Sequence, residues 1–259
     1  MLSRLEARFI RLFQSIFYFI VSISHLLILL IFCRVSIEGK NNIPKKGRFI
    51  LAANHQNFYD GFFLAYACGL FSRKVSFVIA RRALKTRFLQ LLAMLIGSVV
   101  IGNGQEEYQK ALKKLNRILS HGGPVGIFPE GEVSKHEIPK KFKGGVAKIS
   151  IDSKTKVIPV YLCGTYNLRY PKYLLTRPHI LLKIGKPIEL YNYASVCGNN
   201  LDQIAEILRR RIIDLSELSK DKRADTTNKY NAMSFTAMYS KSLEEDLTEV
   251  QEGKLSIAK

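Results

Sequence analysis

A chain of 259 residues, 47% of them hydrophobic, can bury one sizeable core, and no internal repeat indicates a solenoid. The formal net charge is +19, and because residues 220–259 hold equal numbers of acidic and basic side chains, residues 1–219 carry all of the positive excess. A basic body attracts anions, and without a nucleic-acid-binding motif an anionic membrane surface is favoured over nucleic acid. The four cysteines and five histidines show neither CxxC nor HExxH spacing, which argues against a disulfide framework and a metal site.

The run from Ile16 to Cys33 contains no charged residue and reaches the length of about 18 residues that a spanning helix needs. Three arginines precede it, as in a signal peptide, but no small-x-small cleavage site follows before Arg34. A helix lying in the membrane interface is the other alternative. We therefore expect residues 1–34 to form a membrane anchor, either spanning or interfacial. Cations flank the run on both sides, with more of them after it, so the following domain is only weakly placed in the cytoplasm.

Beyond the anchor, short apolar runs alternate with segments of helix length. The predicted strands are 49–53, 75–80, 98–101, 125–128, 157–162 and 179–184. The predicted helices are 61–71, 85–96, 106–120, 145–152 and 201–218. This alternation favours an α/β domain over residues 35–219, with a mostly parallel central sheet flanked by helices. Residues 220–259 are mainly polar, and we expect a flexible tail there.

The uncharged segment from Phe88 to Ile101 has two interpretations. It is too short for a second membrane span, which needs about 18 residues or more. A buried helix followed by a strand is favoured over a helix that dips into the membrane.

His55 and Asp60 follow the apolar strand 49–53, at the end of the strand where open α/β sheets bind their ligands. On a regular helix the two side chains would point about 140° apart, so they can meet only if His55 lies in the turn before the helix. Asn57 and Asp60 also resemble a helix-capping pair, which would explain Asp60 without His55. If the two side chains do meet, the imidazole can take a proton from an alcohol while the carboxylate fixes its tautomer.

A second polar cluster follows the predicted strand 125–128. Glu130 can contact a ligand hydroxyl or orient other groups, and Gly131 permits a tight turn or a close backbone approach. An ordinary surface turn is the alternative interpretation of this cluster.

Basic residues precede the predicted helix that begins near Gly144. Lys140, Lys141 and Lys143, together with the free N–H groups of a helix start, can form an anion pocket. A solvated basic loop is the alternative, and it applies equally to Arg81 and Arg82 after the strand 75–80.

Two of these segments resemble sequence blocks of the glycerolipid acyltransferases related to 1-acylglycerol-3-phosphate acyltransferase. NHQNFYD, residues 54–60, is similar to the NHxxxxD block, and FPEGEVS, residues 128–134, is similar to the FPEGTRS block. The histidine block alone is a weak signal, but the two blocks in this order and at this separation are a strong one. Residues 81–84, 143–145 and 157–160 are similar to further blocks of the family, and the whole resemblance spans about residues 35 to 190.

The resemblance implies transfer of a fatty acyl group from acyl-CoA or acyl carrier protein to the hydroxyl of a lysophospholipid in phospholipid biosynthesis, with lysophosphatidic acid converted to phosphatidic acid. It makes His55 the base and Asp60 its orienting partner, with no metal and no cofactor besides the thioester co-substrate. It also implies membrane lipids as partners. By the same likeness, substrate binding is assigned to Asn54, Arg81, Arg82, Glu130, Gly131, Lys143 and Gly144.

The chain departs from the family pattern at two positions. Asn103 and Val133 stand where the resemblance places arginines that contact the acceptor phosphate. A charge-assisted hydrogen bond contributes about 1.5 to 3 kcal/mol, so the loss of two is substantial. Other cations can replace them, namely Arg82, Lys135, Lys140 or Lys141. Otherwise the acceptor is a different lipid alcohol, such as a glycolipid or an aminolipid, or the chain is an inactive lipid-binding protein.

Overall fold

The computed structural model describes residues 31–69, 73–134, 138–168 and 176–224, together with residues 12, 13, 16, 17, 20, 24 and 27. The chain divides into two compact units, Met1–Glu217 and Leu218–Lys259. The sheet and the candidate site belong to the first unit, and the described part of the second is the end of a helix.

The described residues form one seven-stranded sheet. The strands are β1 (Arg34–Glu38), β2 (Ile50–Ala53), β3 (Ser76–Ala80), β4 (Val99–Ile101), β5 (Val125–Ile127), β6 (Val157–Cys163) and β7 (His179–Ile184). Their order is β1-β7-β6-β2-β5-β3-β4. Strands β6, β2, β5, β3 and β4 are parallel, whereas β7 is antiparallel to β6 and carries β1 in parallel on its outer edge. The predicted mostly parallel central sheet is confirmed, and each predicted strand lies within one residue of an observed one.

Helices flank this sheet, as predicted. They are α1 (Asp60–Ala67), α2 (Arg87–Leu95), α3 (Gln105–Ser120), α4 (Gly145–Ser153), α5 (Tyr193–Val196) and α6 (Leu201–Ala224). Strand β2 is buried on both faces: Ile50 packs in one core cluster with residues of α3, α4 and α6, and Leu51 packs in another with residues of α1. A strand covered on both faces is apolar throughout, which explains why its sequence shows no alternation.

The sequence prediction missed β1. Its five residues are exposed or half-buried, and they form a strand because they pair in parallel with β7, far along the chain. A short edge strand of this kind has no strong local pattern to identify it.

The predicted membrane anchor, 1–34, falls largely outside the described residues, as do residues 225–259 of the predicted tail. Within the part of the chain that the structure describes, no helix combines the length and the hydropathy needed to cross a bilayer. Helix α6 continues to Ala224, beyond its predicted end at residue 218.

Candidate active site

His55 and Asp60 are in contact at the carboxyl end of β2. The chain leaves β2 after Ala53, turns through His55, and enters α1 at Asp60. This turn lets the two side chains meet, with His55 Nδ1 2.9 Å from Asp60 Oδ2. Asp60 is fully buried, whereas 19% of the His55 side chain is exposed. The carboxylate therefore lies behind the imidazole, which lies at the surface of the site.

A single oxygen of Asp60 organises the turn. Besides the imidazole, Oδ2 accepts hydrogen bonds from the backbone N–H groups of Gln56 (2.6 Å) and Asn57 (2.8 Å). A carboxylate in the first turn of α1 is also favoured by the helix dipole. Asp60 thus contributes to the helix start, as the capping interpretation requires, and orients His55 as well. The other oxygen, Oδ1, is buried and has no hydrogen-bond partner within the described ranges.

The imidazole is oriented for proton transfer through Nε2. Because Asp60 can only accept, Nδ1 donates to it, which leaves the lone pair on Nε2. No described residue makes a hydrogen bond to Nε2. The ring of Phe128 stacks on the imidazole at 4.1 Å between centroids and 15° between planes, and Phe77 stacks behind Phe128 at 6.3 Å. Asp60 therefore holds the ring at Nδ1 and Phe128 holds one of its faces, and Nε2 is free of hydrogen bonds from the described part of the chain.

The segment after β5 also holds the main chain of His55. The N–H of His55 donates to Glu130 Oε1 at 2.8 Å, and the carbonyl oxygen of His55 accepts from Ser134 N–H at 2.7 Å. The other oxygen of Glu130 accepts from Lys140 N–H at 3.0 Å. Sequence reasoning did not foresee the roles of Phe128 and Ser134. The only sequence signal for them is that both lie in the FPEGEVS block.

Of the two predicted roles of Glu130, its contacts in the structure match the orientation of other site groups, and the binding of a ligand stays a prediction. Its side chain is buried, and desolvation raises the pKa of its carboxyl group against the opposing effect of the two backbone N–H groups. Both of its oxygens are engaged with the main chain of the site. The contacts of Glu130 therefore position the His55 turn and the Lys140 loop.

Asn54, another predicted substrate ligand, is also buried. Its amide Nδ2 donates to the carbonyl of Leu162 at 2.9 Å, and its Oδ1 accepts from Leu162 N–H at 2.7 Å. These two bonds extend the pairing between β2 and β6 beyond the end of β2. The side chain of Asn54 therefore makes both of these hydrogen bonds within the sheet.

Replacing Asn54 with leucine should therefore lower the free energy of unfolding. Both polar groups of Leu162 would be left buried without partners, at a cost of about 1 to 3 kcal/mol each. Urea unfolding of the detergent-solubilised protein measures this change. The matched control is Asn103→Leu, at an exposed position, which should shift the free energy by less than about 0.5 kcal/mol. Equal effects of the two substitutions on the free energy of unfolding would contradict the structural role of Asn54.

Two predicted cations gather at Gly131. Arg82 donates through Nη2 to the carbonyl of Gly131 at 2.8 Å. A Cβ at Gly131 would lie 2.8 Å from Lys143 Nζ, so this ammonium group lies against the glycine. With φ at +72°, Gly131 occupies the left-handed region that glycine adopts without strain. The positive charges of Arg82 and Lys143 therefore lie beside Gly131, close to Glu130 and the His55 turn.

The remaining predicted ligands have other partners. Arg81 pairs with Glu107 at 2.8 Å, and the N–H of Gly144 donates to Asp202 Oδ1 at 3.1 Å. Lys140 Nζ lies 2.7 Å from Glu132 and lowers the pKa of that carboxyl group. Arg82, Lys141 and Lys143 form no ion pair with an acidic side chain in the described residues, although Arg82 and Lys143 lie near enough to Glu132 to contribute to the lowering of its pKa. Lys135 lies outside the described residues.

The chain is similar in sequence to known acyltransferases. The sequence profile of the acyltransferase family matches residues 34–163. The chain is 28% identical to the 1-acyl-sn-glycerol-3-phosphate acyltransferase of Saccharomyces cerevisiae over 222 residues, 83% of this chain and 71% of that protein. It is 27% identical to the protein of that name from Borreliella burgdorferi over 139 residues, 52% of this chain and 53% of that protein, and so spans about half of that relative's length.

The fold is also found in a crystal structure. The 1-acyl-sn-glycerophosphate (LPA) acyltransferase PlsC from Thermotoga maritima superposes with a TM-score of 0.56 and 22% sequence identity, over 90% of this chain and 86% of that one. This likeness shows the shared fold. Because the profile covers half of the chain and includes both sequence blocks, the chain belongs to the acyltransferase family, the glycerolipid acyltransferases that residues 54–60 and 128–134 resemble.

Proposed function

We propose that this chain is an O-acyltransferase that moves a fatty acyl group from a thioester to the free hydroxyl of lysophosphatidic acid, forming phosphatidic acid at a membrane. The observation that carries the proposal is the contact of His55 Nδ1 with Asp60 Oδ2 at 2.9 Å, with no hydrogen bond to Nε2 from any described residue. Relatives named as 1-acyl-sn-glycerol-3-phosphate acyltransferases support the choice of acceptor. The donor is acyl-CoA or acyl carrier protein.

The proposed reaction needs no nucleophile from the protein. Nε2 of His55 takes the proton of the acceptor hydroxyl as its oxygen attacks the thioester carbonyl carbon. The buried carboxylate of Asp60 stabilises the imidazolium that forms. When the tetrahedral intermediate collapses, the carbon–sulfur bond breaks and the imidazolium returns the proton to the leaving thiolate. The products are an ester and a free thiol, and neither a metal nor an organic cofactor takes part.

Arg82 and Lys143 are proposed to bind the acceptor phosphate. Both lie at Gly131, beside the turn that holds His55. Replacing Lys143 with methionine should raise KM for lysophosphatidic acid by about 10-fold to 100-fold, the equivalent of one charge-assisted hydrogen bond. The KM for an uncharged monoacylglycerol should stay the same. Lys110→Met, at an exposed position on α3, is the matched control and should change neither of these KM values. An equal loss with both acceptors would contradict phosphate binding by Lys143.

A different lipid alcohol is the second candidate acceptor. It is favoured by Asn103 and Val133, which are both exposed and stand where the family pattern has arginine. Thiol release from an acyl thioester, measured against lysophosphatidic acid, a monoacylglycerol, a lyso-glycolipid and a lyso-aminolipid, separates the candidates. The first proposal predicts the highest kcat/KM with lysophosphatidic acid. A higher value with a phosphate-free acceptor would favour the second, and no release with any of them would contradict both.

A further inference from the structure

Three rings form one column at the candidate site. The ring of Phe77 on β3 stacks on Phe128 at 6.3 Å between centroids and 11° between planes, and Phe128 stacks on the imidazole of His55 at 4.1 Å and 15°. The column begins in the sheet and ends at the group that the proposed mechanism uses as its base. Phe128 therefore contacts the imidazole on its face, whereas Asp60 contacts it at its edge.

The sheet fixes the position of Phe128 through a glycine. Phe77 is paired with Gly126 in the register of β3 and β5, and a Cβ at Gly126 would collide with the Phe77 ring. This ring can therefore lie across β5 only because residue 126 has no side chain. Phe128 follows two residues later and faces the same side of the strand, so Phe77 packs behind it. Helix α1 closes the other side, where a Cβ at Gly61 would lie 3.8 Å from the Phe77 ring.

The strength of the stacking depends on whether the imidazole is protonated. A neutral imidazole and a phenyl ring attract each other as two aromatic rings do. An imidazolium carries a positive charge spread over its ring, and the face of Phe128 lies within the about 6 Å over which a cation–π attraction acts. Because this attraction favours the protonated form, it stabilises the state in which His55 holds the proton of the acceptor. Interactions that are stronger in the transition state than in the ground state are the ones that raise kcat.

Charged side chains near the imidazole also act on its protonation, and they stay in place when only the ring of Phe128 is altered. They are the carboxylates of Asp60 and Glu130, the cations Arg82 and Lys143, and the ion pair of Lys140 with Glu132. Carboxylates favour the imidazolium and cations oppose it. A change confined to the Phe128 ring therefore varies the contribution of its face without moving a charge.

We propose that Phe128 is a positioning residue of the acyl transfer reaction, which holds the imidazole of His55 in its orientation and stabilises the imidazolium by a cation–π contact. This inference deepens the proposed function, on which it rests for the role of His55. Phe128 takes no proton and forms no bond in the reaction, since it acts through His55. Phe77 supports the Phe128 ring from behind.

Fluorinated phenylalanines test the ring face with little change of its shape. Each fluorine draws electron density from the face and so weakens a cation–π contact. In the full chain, 4-fluoro-, 3,5-difluoro- and 3,4,5-trifluorophenylalanine in place of Phe128 should lower kcat stepwise, by about 3-fold to 30-fold for the trifluorinated ring. The acidic limb of the pH profile of kcat/KM should move to lower pH in the same order. A constant kcat across the series, or a loss of kcat with an unmoved limb, would overturn the proposal.

The same series at Phe77 is the matched control. Phe77 stacks on Phe128 and not on the imidazole, so its fluorination should change kcat by less than about 2-fold and leave the acidic limb in place. Equal effects at the two positions would overturn the assignment to Phe128. Phe128→Tyr keeps the ring face and should retain activity, whereas Phe128→Leu removes the face and should lose at least as much as the trifluorinated ring. A Phe128→Leu protein as active as the wild type would contradict the proposal.

A measurement without turnover separates this inference from the proposed function. The chain has five histidines, and comparison with the His55→Ala protein identifies the ring signal of His55 in the NMR spectrum of histidine-labelled protein in detergent. The pH at which this signal has moved halfway should be lower with the trifluorinated ring at position 128 than with phenylalanine. If that pH falls but the wild-type chain transfers no acyl group, the proposed function alone is wrong. If the chain transfers and that pH stays the same, the inference alone is wrong.

Discussion

Replacing His55 with alanine is expected to lower acyl transfer about 10²-fold to 10⁴-fold, the range that general base catalysis contributes. The expected loss is this large because the proposed mechanism gives no other group the proton of the acceptor hydroxyl. The fold should survive, since alanine keeps both main-chain bonds of residue 55, to Glu130 and to Ser134. Initial rates of thiol release and of ester formation, measured together, give the loss of activity.

The matched control for this substitution is His121→Ala. His121 is exposed at the end of α3, where its ring bonds to the carbonyl of Arg117. Its removal should leave turnover unchanged. A His55→Ala protein that retains more than about a tenth of the wild-type rate would contradict the assignment of a general base.

Asp60→Asn is expected to lower kcat by up to about 10⁴-fold, the loss found when the carboxylate behind a catalytic histidine is replaced by an amide. The asparagine oxygen can occupy the position of Oδ2 and accept the same three N–H groups, from Gln56, Asn57 and the ring of His55. Its NH₂ group would replace Oδ1, which has no partner in the described residues. The substitution therefore keeps the geometry of the turn and removes the charge that stabilises the imidazolium.

The Asp60→Asn result is interpretable only with a measurement of folding. The melting temperature of the variant should stay close to that of the wild-type protein, although kcat falls. Asp152→Asn, which removes a partly exposed carboxylate paired with Lys148, is the control and should keep full activity. If the loss of activity merely follows the loss of folded protein, Asp60 has a structural role and the orienting role is wrong.

The sheet was predictable where burial dictates the sequence. Strand β2 is apolar at each position because both of its faces are covered, and the segments that alternate with helices follow the order of a parallel sheet. Strand β1 was not predictable, because its partner β7 lies at the other end of the domain and its own residues are only partly buried. The direction of β7 was not predictable either, since a strand's pattern does not show whether its neighbour is parallel.

The site was predictable in its chemistry and only partly in its contacts. The spacing of His55 and Asp60 allowed a pair if the histidine lay in a turn, and the structure has that turn. The contacts of Glu130 with His55 and of Asn54 with Leu162 join residues far apart in the chain. Such bonds follow from how the strands are ordered in the sheet, which local sequence does not specify. For this reason local sequence does not show that the structure buries both residues, and their binding of substrate stays a prediction.

In the proposed mechanism, His55 deprotonates the acceptor hydroxyl, which attacks the thioester directly. The most direct test incubates the purified protein with an acyl thioester, first without and then with lysophosphatidic acid, and follows the intact protein mass and thiol release. We predict an unmodified mass and no burst of thiol before the acceptor is added, and then transfer that requires His55. An acyl adduct on the protein, a burst of thiol without acceptor, or equal transfer by the His55→Ala protein would contradict the account.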